Sequence, residues 1–226
     1  MIPLKDDLPT RTFPFVTLAL IAANVLVFFY EVSLGPRAER FLFTWGAIPF
    51  NLVYGIESGK PPVPIVATLF TSMFLHGGFL HVAGNMLYLW IFGNNIEDVM
   101  GHVRFIFFYL ICGVAAAYSH ALLDSTSQVP MIGASGAISG VLGAYLLLFP
   151  HAKVVTLVPI FFFIQIIRIP AVMVLGFWFV IQIFNGVLGP RQAGGVAWFA
   201  HVGGFLVGMG LIHLFKKSRG RPRRSE

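Results

Sequence analysis

Residues 131–149 read Met131-Ile132-Gly133-Ala134-Ser135-Gly136-Ala137-Ile138-Ser139-Gly140-Val141-Leu142-Gly143-Ala144-Tyr145-Leu146-Leu147-Leu148-Phe149. The run carries no charge and comes close to the roughly 20 apolar residues that a helix needs to cross a bilayer, so it is expected to span one. With Ser135 as zero and about 100° per residue, Ser139, Gly143, Gly136 and Gly140 fall between about 40° and 140°. Small residues therefore share one face, and a neighbouring helix can approach closely there.

The rest of the chain agrees with a lipid solvent. Of its 226 residues, 57% are hydrophobic and 11% charged, against roughly 25% charged in a soluble domain, and mean hydropathy is +0.83. A water-soluble globular protein is excluded, and 24 Phe residues exclude a disordered one. Five further runs are long and apolar enough to span: Phe13 to Val32, Phe79 to Ile96, Phe105 to Leu122, Ala171 to Leu188 and Val196 to Phe215. The first lacks a small-residue cleavage pattern before Ser33 and reads as a retained span rather than a signal peptide. Between spans one and two, Ser33 to Pro64 mixes charge with Phe41, Phe43, Trp45, Phe50 and Tyr54. An interfacial loop with short amphipathic helices is expected there. Val154 to Ile169, apolar but holding Pro159, Gln165 and Arg168, is expected to run along the interface. The single cysteine, Cys112, excludes an intrachain disulfide and a thiolate metal cluster.

Six spans put both termini on one side. That side collects Lys5, Arg11, Arg104, Lys153, Arg168 and six Lys and Arg residues from Lys216 onward, and the other side has Arg37, Arg40, Lys60 and Arg191. The positive-inside bias predicts cytoplasmic termini. The basic tail suits anionic lipid headgroups. Nucleic acid is a poor partner, because no aromatic residue follows Phe215 to stack on a base.

Parity then makes spans two, four and six start in the outer leaflet. His81 and Asn85, Ser135, and His201 lie near those three starts. If spans four and six begin near Pro130 and Val196, Ser135 and His201 are each about five residues in, about 7 to 8 Å at 1.5 Å per residue. A histidine inside a span is costly and normally faces a bundle interior or a wet cavity. Gly204 and Gly208 share its face, so span six has its own smooth stripe. Serine and histidine at one depth on close-packed helices are what a base-activated nucleophile requires. His81 and Asn85, four apart on one face, could donate to a developing oxyanion. The Asp and Glu residues fall in tails, loops or span ends, so a catalytic unit would be a dyad. A structural reading exists for each residue alone: hydroxyl back-bonding for Ser135, cross-helix packing for Asn85 and His201, solvation for His81.

These strings together resemble the rhomboid intramembrane serine proteases over nearly the whole chain. They are His76-Gly77-Gly78-Phe79-Leu80-His81-Val82-Ala83-Gly84-Asn85, then Gly133-Ala134-Ser135-Gly136, then Ala200-His201-Val202-Gly203-Gly204 continuing to Gly208. The resemblance implies an all-α membrane protein, a six-transmembrane-helix bundle over residues 1–215 with a basic cytoplasmic tail at 216–226. It implies Ser135 as nucleophile, His201 as general base, and His81, Asn85 and the Ser135 backbone N–H as oxyanion hole. Gly133, Gly136, Gly204 and Gly208 are then expected to pack helices near the site. Glu97 and Gly101 match a structural pattern of the family. No metal or cofactor is implied. Single-pass transmembrane proteins are the implied substrates, cut from a cavity opening on the extracytoplasmic side of the cell membrane, with a mobile gate at helix five. Substrates should carry Gly, Pro or polar residues near the outer end of the span, since a helical carbonyl is already bonded. The sequence itself sets no oligomeric state.

Two departures stand out. Ala67-Thr68 replaces a Trp-Arg pair found in some relatives. Ser139 stands where some relatives stack an aromatic ring on the catalytic imidazole, which leaves open what orients His201. Two rival classes remain: a non-catalytic member that binds client helices, and a small transporter. The nearly apolar inner halves of spans four and six weigh against a conduit.

Overall fold

The structure is a computed structural model and describes residues 1–55, 63–160, 163–189 and 196–217. Strand β1 (Ile2–Asp6) precedes helix α1 (Phe15–Ser33), and the loop beyond folds into the short helices α2 (Ala38–Trp45), α3 (Pro49–Tyr54) and α4 (Ile65–Thr71). A turn of 3₁₀-helix, Ser72–Phe74, follows. The chain then bends by 84° into α5 (Phe79–Tyr88), which runs through a π-helical turn, Leu89–Gly93, into α6 (Asn94–Met100). Helix α7 (His102–Leu123), α8 (Ser135–Leu148), strands β2 (Lys153–Ile160) and β3 (Phe163–Pro170), α9 (Ala171–Leu188) and α10 (Trp198–Phe215) complete it.

Helices α1, α7, α9 and α10 are long and apolar enough to cross a bilayer, and the bent pair ending at Met100 makes a fifth candidate. Their exposed faces are greasy: Leu26, Phe29, Val103, Phe107, Val180, Phe184, Val187 and Leu206 all point outward. That is the pattern of a bundle solvated by lipid tails. The core sits where α7, α8 and α10 meet, around Phe105, Phe108, Tyr109, Val141, Leu142, Tyr145 and Phe205.

All six expected spans are helical, but α8 is shorter than its apolar run. It covers 14 residues from Ser135, about 21 Å of rise, because the chain ahead of it is extended. Met131 pairs with Ala47, exchanging N–H···O bonds of 3.1 and 2.8 Å, and the Gly133 N–H donates to the Ser72 carbonyl. Gly133 has φ +118°, which a helix cannot contain. The expected start near Pro130 is therefore corrected: Ser135 is the first helical residue, not the fifth.

Val154 to Ile169, expected as a connection running along the interface, is built of strands. It forms an antiparallel β2–β3 pair, from Lys153 opposite Pro170 to Ile160 opposite Phe163. β1 adds a third antiparallel strand, Ile2 opposite Leu157 and Asp6 opposite Val154. Asp6 then reaches the helices, where its carboxylate accepts bonds from Tyr145 Oη at 2.7 Å and Asn95 Nδ2 at 2.6 Å. Asp6 is partly desolvated by this packing, which raises its carboxyl above the ordinary range. Glu97, on α6 and fully buried, caps α1: one carboxylate oxygen accepts the Val16 N–H and the other the Thr17 N–H and hydroxyl. These are first-turn amides with no partner inside their own helix. The sheet, the start of α1 and the ends of α6 and α8 thus gather at one end of the bundle. In the loop after α1, α2 and α3 lie where short helices are expected; residues 56–62 fall outside the described residues, as do 218–226 of the basic tail.

Candidate active site

The other end of the bundle holds the polar residues. Ser135 opens α8 and His201 lies in the first turn of α10, and glycine brings the two helices together. A Cβ on Gly204 would strike the Gly136 carbonyl, and one on Gly208 would strike the backbone of Gly140. On the other flank of α8, a Cβ at Gly136 would come within 2.7 Å of Ala116 and one at Gly140 within 2.5 Å of Cys112, both on α7. With nothing between the helix backbones, Ser135 Oγ stands 2.7 Å from His201 Nε2. Both side chains are half-buried.

Gly136, Gly204 and Gly208 lie in that seam. Gly133 does not, because its extended backbone precedes the helix. A Cβ there would come within 2.8 Å of His81 Nε2 and 3.5 Å of Asn85 Nδ2, so Gly133 keeps open the space that those two side chains overlook. The Gly77 N–H approaches His81 Nδ1 at 3.4 Å. A donor at Nδ1 leaves the ring proton on Nε2, facing the same space. Asn85 Nδ2 lies 3.0 Å from His76 Nε2, and His76 is buried. The Ser135 N–H belongs to a helix start with no side-chain cap, so it too is a donor without an intrahelical partner. A cavity of about 40 Å³ adjoins Ser135 and is lined by Ser72, Met131, Gly133, Gly136 and Ala200 among others. It has room for water. Among the described residues no three His, Cys, Asp or Glu side chains converge as a metal-binding set.

Two residues here escape the sequence reading. Gln182 of α9 is buried and places Oε1 2.8 Å from His201 Nδ1. Glu31, read as a span-end carboxylate, is buried, and both its oxygens accept the His76 N–H at 3.3 Å. The signal for each was a polar residue within or ending an apolar run, which is costly and so calls for a partner. The Ser139 hydroxyl donates to the Ser135 carbonyl at 2.6 Å rather than to the imidazole. The aromatic rings near His201 are instead Trp178, centroids 5.8 Å apart, and Trp198, at 6.2 Å.

Comparison with known proteins bears on the whole arrangement. The Rhomboid domain family matches residues 65–218. The chain is 34% identical over 143 residues to "Rhomboid protease GluP" of Bacillus subtilis, covering 63% of this chain and 25% of that protein. It is 34% identical over 154 residues to "RHOMBOID-like protein 5" of Arabidopsis thaliana, 67% of this chain and 45% of that one. "Rhomboid protein 1, mitochondrial" of Saccharomyces cerevisiae is 31% identical over 145 residues, 62% and 38% of the two chains. The chain thus spans less than half the length of each of these relatives. With a family match covering the bent pair, α7 to α10, and His76, His81, Asn85, Ser135, Gln182 and His201 of the polar cluster, this chain belongs to the rhomboid family.

Proposed function

We propose that the protein is an intramembrane serine endopeptidase that cuts transmembrane segments of single-pass membrane proteins with a Ser135–His201 dyad. The observation that carries the reading is the 2.7 Å approach of Ser135 Oγ to His201 Nε2, the reach a general base needs. A relative bearing the name of a protease supports it.

In this reading Ser135 Oγ attacks a peptide carbonyl while His201 Nε2 takes its proton. The tetrahedral oxygen develops its charge over Gly133, where His81 Nε2–H, the Asn85 amide and the Ser135 N–H are donors fixed before reaction. His201 returns the proton to the leaving amine, and water resolves the acyl-enzyme. Depth follows from α8: about 21 Å of helix in a hydrocarbon core of about 30 Å leaves Ser135 roughly 9 Å below the far surface. The scissile bond therefore lies inside the outer leaflet and must be unwound, because a helical carbonyl is tied to its own amides. By the distribution of Lys and Arg, the sheet end faces the cytoplasm and the site opens to the extracytoplasmic side of the cell membrane.

The test is cleavage of a single-span reporter in liposomes, alongside fluorophosphonate labelling of Ser135. Wild type cuts and labels; Ser135→Ala and His201→Ala lose about 10⁶ in rate, and Asn85→Ala loses about 10² to 10³. Equal cleavage by wild type and both dyad variants would end the protease reading. So would a folded wild type that neither cuts nor labels, and the binding of client helices would then take its place.

A further inference from the structure

The catalytic imidazole is held from a third helix. Gln182 Nε2 lies 3.1 Å from the carbonyl of Trp178, one turn earlier on α9. A carbonyl only accepts, so it selects the NH₂ end of the amide and turns Oε1 toward His201. Oε1 in turn only accepts, so His201 Nδ1, 2.8 Å away, must carry the ring proton. Nε2 is then left with its lone pair, directed at the hydroxyl of Ser135. A single backbone carbonyl on α9 thus fixes, through two hydrogen bonds, which nitrogen of His201 can act as a base.

The surroundings leave this task to Gln182. Ser139 is turned back onto its own helix. Glu31 and Glu97 are buried elsewhere, on the His76 amide and at the start of α1. The residues that α9 buries, Ala171, Val174, Leu175 and Gln182, lie on one stripe, and Trp178 on that stripe faces both His201 and Phe205. The stripe that seats α9 on α10 is therefore the one that presents the amide.

We propose that Gln182 is a positioning residue that fixes the Nδ1–H tautomer of His201 by a hydrogen bond reaching from α9 to α10. The proposal rests on the protease reading for its kinetic consequence but not for its structural one. Gln182→Met keeps side-chain length and apolar packing but removes the acceptor; Gln182→Glu keeps an acceptor at the same reach. In liposomes, Gln182→Met is expected to lower the rate of fluorophosphonate labelling and the kcat for a single-span reporter by ~10 to 10²-fold, with KM unchanged. Gln182→Glu is expected to restore most of that loss. Solid-state ¹⁵N NMR, with the His201 signals assigned from a His201→Ala sample, is expected to show Nδ1–H in wild type and a shift toward Nε2–H in Gln182→Met.

An unchanged tautomer in Gln182→Met overturns the proposal. So does a kinetic loss shared by the Met and Glu variants with the tautomer unchanged in both, which would mark a packing role. If wild type neither labels nor cuts, the protease reading falls, and the NMR comparison still decides whether Gln182 sets the tautomer.

Discussion

Helices α8 and α9 both touch α10, by opposite means. α8 meets it backbone to backbone, with Gly136 under Gly204 and Gly140 under Gly208. α9 meets it through side chains, Trp178 and Phe179 against Phe205, and only 22% of its residues are buried, against 39% of the span in α7. A backbone contact has no rotamers to yield, whereas a ring contact can slide or part. Ser135 and His201 thus ride on the pair least able to move. The amide on the far side of His201 rides on the helix with the least to hold it.

One substitution in the α8–α10 seam and one on α9 should expose the contrast most strongly. Gly208→Ala places a methyl against the backbone of Gly140 and is expected to cost about 1 to 3 kcal/mol of stability. Ser135 labelling should fall with it by ~10²-fold, since a misplacement of about 1 Å suffices for that. A Cβ at Gly176 of α9 would meet nothing within 4 Å, so Gly176→Ala should leave labelling intact and add up to about 1 kcal/mol through helix propensity. Thermal melts and labelling rates on the pair decide it; equal losses would refute the contrast.

A smaller effect is expected on the far side of the site. Glu31→Ala strips the buried His76 N–H of its acceptor, a penalty of about 1 to 3 kcal/mol felt locally. Hydrogen exchange should rise in the bend at 75–78 while the α8–α10 seam stays protected; exchange spreading into α8 would show that the rigid half depends on α1. The smallest effect lies at the sheet. Burial holds the Asp6 carboxyl above its ordinary value, so the folded state takes up its proton more readily than the unfolded chain. Stability from that proton is complete below the ordinary carboxylate range and is lost as pH rises through the raised value. The Tm of wild type relative to Asp6→Asn should therefore fall as pH rises from the ordinary carboxylate range through the raised value. A flat difference would detach the sheet from the stability of the bundle.

The reach of the sequence can be judged residue by residue. Apolar run length locates the helical segments of all six expected spans, because hydrocarbon leaves little choice but helix, although among the described residues only four, or five with the bent pair, are long enough to cross. Depth and parity place Ser135 and His201 together before any coordinate is known. What escaped depends on pairings distant in sequence. Met131 finds its partner in Ala47, 84 positions away, and that pairing holds 131–134 out of the helix. β1 joins β2 across 150 residues, while β-branched runs such as Val154 to Ile169 do not by themselves distinguish a strand from a buried or interfacial segment. Gln182 is flagged by its apolar run as needing a partner, but which partner depends on the rotation of α9 relative to α10, which no local pattern encodes.

Cys112 lies in the α7–α8 contact, with no exposed surface. The protein's own thiol is therefore silent toward water-soluble maleimides and methanethiosulfonates as long as the bundle is folded. A cysteine installed at Thr126, exposed in the turn after α7, would be the one reactive handle on the molecule, ready for a nitroxide or a fluorophore without first deleting the native residue. Reactivity appearing at Cys112 itself would report that α7 and α8 had separated.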